Sequence, residues 1–241
     1  MTAPDTQGDH ITVGCAELPP GMTRAEYFRL LRFLEMRLPD RALTPPAIER
    51  LRDEAGGAQR LALVAPRSLC QVHRPGGPDA DALEAGATDL ARTAAQLGAA
   101  AVVFCTPPDL SPSTAHRDAL RRFFADFATS ERFARHDQTV RVWQPDGLWR
   151  PAVAAAFADE LGIVAAVDPL APDPLEEGVP DAPATVAYAR VRGLGRPASR
   201  PLSADDLARL AVWAAPSQRA FIVFETPTRR RDAVALLRSL G

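Results

Sequence analysis

Residues 99–105 read AAAVVFC, an unbroken apolar run from Ala99 to Cys105 that stops at Thr106 and the pair Pro107-Pro108. Downstream, Leu120, Phe123, Phe124 and Phe127 recur at i, i+3, i+4 and i+7, the spacing of one helical face. Thr139 to Trp143 then returns to a β-rich run. A strand covered on both faces, a helix and a second strand make a parallel βα unit, because a parallel neighbour is reached only through a crossover.

The same alternation runs through the chain. The other candidate strands are His10 to Cys15, Phe33 to Arg37, Arg60 to Ala65, Gly162 to Val167, Thr185 to Val191 and Ala220 to Glu225, which makes eight in all. Between them, Tyr27, Leu30, Leu31 and Leu34 share a helical face, as do Leu207, Leu210, Ala211 and Ala214, and again Ala233, Leu236, Leu237 and Leu240. Ser203 and Asp206 have capping-box spacing, and Pro151 suits the first turn of a helix, where its missing N–H costs nothing. Prolines at 169, 172, 174, 180 and 183 make the connection after the sixth strand a loop rather than a helix. Eight βα units in 241 residues, near the ~250 usual for the architecture, predict an α/β fold, a TIM (β/α)8-type barrel in one domain over 10–241. Residues 1–9 are expected to form a flexible N-terminus. The alternative is an open doubly wound sheet, but Val13-Gly14-Cys15-Ala16 lacks the further glycines of a dinucleotide-binding turn.

Composition narrows the chemistry. Every one of the 28 basic residues is arginine, and the chain holds no asparagine. Schiff-base chemistry on lysine, a phosphate-loop lysine and N-glycosylation are therefore excluded. A net charge of -2 argues against a nucleic-acid-binding surface over the whole protein. No apolar run reaches the ~20 residues of a membrane span, and Met1 to Asp9 lacks the pattern of a secretion signal, so a cytoplasmic protein without a membrane partner is expected. Three cysteines, an odd number, do not suggest a disulfide framework.

Several stretches taken together resemble the YecE-like proteins, the domain of unknown function 72. They are Ile11 to Cys15, Glu35, Val64-Ala65-Pro66-Arg67, Pro107-Pro108, Pro145 to Trp149, Gly162 to Asp168 and Tyr188 to Gly193. The resemblance runs through nearly the whole chain in order, and it implies a TIM-type barrel without implying a reaction. Glu35, Arg67, Asp168 and Arg190 keep the family's residue types. The family pattern is lost where Val64 stands for a lysine, Cys105 for a glutamine, Arg192 for a histidine and Glu225 for an asparagine. In the fifth strand Arg141, Trp143 and Gln144 replace a glutamate, an arginine and a histidine. Such losses are compatible with a changed ligand or with lost catalysis.

Barrel sites lie at the strands' C-terminal ends. Gathered there, Arg37, Arg67, Arg141, Arg190 and Arg192 face Glu35, Asp168 and Glu225, and the predicted mouth is positive. Guanidinium groups bind phosphates and carboxylates through paired hydrogen bonds, so an anionic small molecule is the expected ligand. Gly193 and Gly195 belong to a flexible turn, Gly193 to Arg196, at the place where barrels often hold phosphate. Glu35 and Asp168 form the candidate acid–base pair of a hydrolase acting on a sugar or a phosphoester. The competing reading is a non-catalytic barrel, a binding or interaction module plugged by its own ion network.

Thr228 to Arg231 opens the last helix with three arginines against a positive helix N-terminus, which either draws in an anion or faces solvent. Cys15, Cys70, Cys105 and His73 would hold zinc only if separate loops converged, so neither a metal nor a cofactor is expected. Without an aromatic platform beside the arginines, nucleic acid is the lesser ligand, and Trp143 and Trp149 are assigned to the core or rim. His10, His116 and His136 are placed at the terminus or the surface.

Overall fold

In the computed structural model, which describes residues 10–71, 77–133, 139–171, 179–193 and 200–241, all eight predicted runs are strands. They are β1 (Ile11–Ala16), β2 (Phe33–Arg37), β3 (Leu61–Val64), β4 (Ala101–Cys105), β5 (Val140–Gln144), β6 (Val164–Val167), β7 (Val186–Val191) and β8 (Arg219–Phe224). The described helices are α1 (Arg24–Leu30), α2 (Pro45–Ala55), α3 (Ala80–Leu97), α4 (Thr114–Arg122), α5 (Ser130–Phe133), α6 (Pro151–Glu160), α7 (Ala204–Ala214) and α8 (Arg229–Leu240). The strands pair in chain order as a closed parallel barrel, with β8 returning to β1 in the register Val13 opposite Ile222. No described helix is long and apolar enough to cross a membrane. The expectations for residues 1–9, His73, His136, Gly195 and Arg196 lie outside the described residues. So does most of the proline-rich connection, whose described ends, 168–171 and 179–185, contain no helix.

Contacts group the residues into two compact units, one of Met36–Ala165 and one of the chain up to Glu35 together with Ala166–Gly241. In the first unit, β4 and β5 run with Val103 opposite Val142 and Cys105 opposite Gln144. The Phe104 ring meets Phe123, Phe124 and Phe133 edge-on at 5.4–5.9 Å, and Trp143 meets Trp149 at 4.8 Å and Phe157 at 5.9 Å. Trp143 and Trp149 are both core residues. A π-helical turn at Phe123–Phe127 lets Phe123 and Phe124 both face inward, while Phe127 is half-buried. Because side chains two apart share a strand face, the helix-facing Phe104 and Trp143 place Cys105 and Gln144 on the opposite face.

In the second unit, the rings of Phe33 and Tyr188 each pack tilted against Phe221, with centroids 5.1 and 5.6 Å apart across β2, β7 and β8. Helix α1 begins with a reciprocal Thr23–Glu26 capping box but ends at Leu30, shorter than its apolar spacing predicts. Leu31 is already extended, Leu34 belongs to β2, and Leu30 is 48% exposed. The cause is Tyr27, whose hydroxyl donates to the Phe33 carbonyl and accepts from the Cys15 amide, drawing the chain directly into β2. The Ser203–Asp206 capping box and Pro151 in the first turn of α6 are both present.

Candidate functional site

In the unit containing β7 and β8, Glu35 is 1% exposed and shares a strand face with Phe33. One carboxylate oxygen lies 2.9 Å from Arg190 Nη2, and the other accepts from the Tyr188 hydroxyl at 2.7 Å. Arg190 Nε lies 3.5 Å from Glu225 Oε2, which is also 3.8 Å from Arg192 Nε. Burial raises the pKa of the Glu35 carboxyl above the ordinary glutamate value, and the Arg190 charge and the Tyr188 hydrogen bond only partly offset it. Asp168 uses both oxygens on the main chain, accepting from Leu170 N–H at 3.0 Å and Arg192 N–H at 2.9 Å, and so ties the end of β6 to the end of β7. Gly193 turns the chain at φ 69°, and a Cβ there would lie 3.0 Å from the Thr226 methyl. Among the described residues of this group, Arg190 and Arg192 form an ion network with Glu35 and Glu225, and Asp168 binds the main chain beside it.

In the other unit, Arg37 and Arg67 stand on the wall of a hollow of about 380 Å³ with Cys70, Cys105, Thr106 and Asp146. All of these follow or end β2, β3, β4 and β5, so the hollow lies at strand C-terminal ends. Local hydrogen bonds hold its rim. The Leu38 amide donates to Val64 O at 2.9 Å, and the Asp40 carboxylate accepts from the Ser68 hydroxyl and amide at 2.7 and 3.2 Å. Those Ser68 bonds hold the Asp40 carboxyl below its ordinary pKa, with smaller help from the charges of Arg67 and Arg37. Ser68 sits in a short 3-10 turn, Arg67–Cys70, that presents Arg67 at its exposed start and buries Cys70 at its end. On the far side, the connections after β4 and β5 touch closely. A Cβ on Gly147, at φ 77°, would lie 2.1 Å from Pro108 O, and Trp149 Nε1 donates to Leu110 O at 2.7 Å. Glycine is thus required where the Pro107-Pro108 and Pro145 to Trp149 stretches meet.

Arg141 does not belong at the mouth, contrary to the sequence expectation. It shares a strand face with the helix-packed Trp143 and stands near the start of β5. There it donates to the carbonyls of Ala128 at 2.9 Å and Gly162 at 3.0 Å, each beyond a helix C-terminus where the dipole favours a cation. Partial burial lowers its pKa. Of the five arginines, Arg190 and Arg192 belong to an ion network in one unit, Arg37 and Arg67 line a hollow with Asp146 in the other, and Arg141 closes helix ends there.

The arginine-rich start of α8 has an answer within the chain. Asp232, 1% exposed, accepts from the hydroxyls of Thr226 and Thr228 at 2.7 Å each and from the Leu202 amide at 3.1 Å. Arg230 and Arg231 are exposed. The sequence reading missed this carboxylate, although its place four residues after Thr228, in the first helical turn, was a visible signal. It also missed Tyr188 as the partner of Glu35, and Asp146. His116 is half-buried, its Nδ1 3.0 Å from the Ser111 amide, and fixes the turn before α4. Cys15 lies in the other unit from Cys70 and Cys105, its thiol pushed up to about 11 by burial. Among the described residues, no group of three or more His, Cys, Asp or Glu side chains is placed to hold a metal ion.

By sequence, no family model and no curated protein matches the chain. By structure, it is similar over 96% of its length to 99% of a DUF72 family protein from Thermotoga maritima, with a TM-score of 0.64 at 12% identity. It is similar over 95% of its length to 94% of a DUF72 family protein from Enterococcus faecalis, with a TM-score of 0.61 at 16% identity. A D-allulose 3-epimerase from Methylomonas sp. matches 96% of this chain with 98% of its own, with a TM-score of 0.59 at 12% identity. These likenesses establish a shared barrel fold, and the first two structures carry the family description that the chain's motifs resemble.

Proposed function

We propose that this chain is a divergent barrel of the DUF72 family and that it binds a small anionic molecule, bearing phosphate or carboxylate, through Arg37 and Arg67. The observation that carries this reading is the presence of two guanidiniums on one polar hollow of about 380 Å³ at strand C-terminal ends. That volume suits a small metabolite. Two planar forks in one cleft suit an oxyanion better than two point charges would. Three stretches that carry the family resemblance border the hollow, through Arg67, through Pro107 and Pro108, and through Asp146. The epimerase likeness contributes the fold alone and no sugar chemistry.

Calorimetric titration with inorganic phosphate and with a phosphate monoester tests the reading. Arg37→Met and Arg67→Met are each expected to weaken binding about ten- to a hundredfold, since a hydrogen bond to a charged group is worth about 1.5–3 kcal/mol. Added salt is expected to weaken binding to the unmodified protein. Unchanged affinity in the double variant removes this hollow as the site.

A catalytic reading rests on Glu35, because a carboxyl that burial holds in its protonated form to higher pH is suited to general acid work. Against it, both Glu35 oxygens are engaged by Arg190 and Tyr188, and Asp168 is committed to the main chain. A phosphoesterase and glycosidase screen decides. Turnover that disappears in Glu35→Gln while the melting temperature holds supports the catalytic role, and turnover that survives removes Glu35 from it. With no turnover in either protein, the barrel acts as a binding module.

A further inference from the structure

We propose that Cys70 and Cys105 are a peroxide-sensitive dithiol, a covalent modification site that closes to a disulfide on the wall of the Arg37–Arg67 hollow. Both residues line that hollow, one at the end of the 3-10 turn after β3 and the other at the end of β4. The main chain of Cys105 lies within hydrogen-bonding reach of the Cys70 sulfur, and the two thiols and the Arg37 charge are close enough to act on one another electrostatically. A disulfide needs Cα atoms about 4.4–6.8 Å apart, and a sulfur held against its neighbour's main chain is compatible with that spacing. The third cysteine, Cys15, is wholly buried in the other unit.

Exposure assigns the two roles. Cys105 is half-buried and meets solvent in the hollow, whereas Cys70 is 3% exposed and burial raises its pKa. The thiolate is the nucleophile and access governs its oxidation, so Cys105 is the group a peroxide reaches first. Its thiolate attacks one peroxide oxygen and the O–O bond breaks. Cys105 becomes a sulfenic acid and the peroxide is reduced to an alcohol, or to water when it is hydrogen peroxide. The Cys70 sulfur then attacks the sulfenic sulfur, the S–O bond breaks, and water leaves with the Cys70 proton. In sum, two thiols and one peroxide give one disulfide, with the two electrons passing to the peroxide. The bond ties the Arg67-bearing turn to β4 and thereby fixes the rim of the hollow. That consequence for ligand binding rests on the anion-binding reading, while the crosslink itself does not.

The test uses the full reduced protein, treated with a few equivalents of hydrogen peroxide, alkylated, and analysed by intact mass and by peptide mapping without reductant. The expected product is lighter by two hydrogens, contains a Cys70–Cys105 crosslinked peptide, and returns to the starting mass with dithiothreitol. Cys15 is expected to be alkylated only after unfolding. In Cys70→Ser, a dimedone adduct is expected to accumulate on Cys105. Over-oxidation of Cys105 without a crosslink, or a crosslink between two chains, overturns the proposal. Phosphate titration of the same samples separates the two readings. The oxidised form is expected to bind several-fold more weakly than the reduced form. A crosslink in a protein that binds no phosphate in either state upholds the dithiol and defeats the anion site, whereas phosphate binding without a crosslink does the reverse.

Discussion

Replacing Arg190 by methionine is expected to cost about 3–5 kcal/mol of folding stability, the usual effect of removing one partner from a buried ion pair. The size follows from what the substitution leaves behind. Glu35 is 1% exposed, and with the guanidinium gone the Tyr188 hydroxyl is the partner left to its carboxylate among the described residues. The sign of the pH dependence follows from the same geometry. Burial already raises the native pKa of Glu35 above the ordinary 4.5, so the native state binds its proton more tightly than the unfolded chain does. Over the window from 4.5 up to that raised value, stability therefore falls as pH rises. Arg190 is a main influence acting against the rise, so in Arg190→Met the window extends further upward and the loss at pH 8 is expected to exceed the loss at pH 5. Denaturant unfolding at the two pH values measures this. The double variant Glu35→Leu/Arg190→Met, which removes both charges, is expected to recover most of the loss. A single variant as stable as the parent at pH 8 would show that the network is not what holds the barrel interior.

Such a network also shows that arginines which look alike in the sequence have different local partners. Strand positions were legible because β3, β4 and β8 are nearly continuous apolar runs, which parallel strands covered on both faces require. The face of each charged residue was only partly legible. Arg141 is two residues before Trp143, so a tryptophan packed on helices already implied an outward arginine, and the alternation rule was sufficient to find it. The pairing of Glu35 with Tyr188 and Arg190 was not readable, because its partners are more than 150 residues apart in the chain and meet only through the order of strands around the barrel. The early end of α1 was missed for a similar reason. The spacing of Leu30, Leu31 and Leu34 continues a helical pattern, and only the Tyr27 hydroxyl bonds to Phe33 and Cys15 show why the chain leaves it.

Ion pairs with carboxylates mark Arg190 and Arg192 as residues that stabilise their own unit. Arg190 and Arg192 are held against carboxylates within their own unit, and a ligand there would have to compete with them. Arg37 and Arg67 line a hollow with room for a small molecule. The family resemblance covers both groups, since Glu35, Arg67 and Arg190 all keep the family's residue types, so it could not have distinguished them. The 2.9 Å Arg190–Glu35 pair and its burial assign that group to stability, and Arg37 and Arg67 are assigned to the hollow by lining it.

The same reasoning applies to the start of α8 and gives the second large expected effect, a loss of about 3 kcal/mol for Asp232→Ala. A first turn carrying Arg229, Arg230 and Arg231 adds cations to a terminus that is already positive, and the buried Asp232 carboxylate supplies the compensating charge. Its removal leaves three donors without their acceptor, the hydroxyls of Thr226 and Thr228 and the Leu202 amide. Asp232→Asn keeps an acceptor oxygen and the side-chain volume, and is expected to lose about half as much, since it forfeits the charge but not every hydrogen bond. If charge compensation is the main role, added sulfate is expected to raise the melting temperature of Asp232→Ala more than that of the parent, by seating an anion where the carboxylate was. Thermal unfolding of the three proteins with and without sulfate measures all of this. An alanine variant that melts with the parent sinks the compensating role of Asp232. An alanine variant that is destabilised but indifferent to sulfate assigns the loss to the three hydrogen bonds alone.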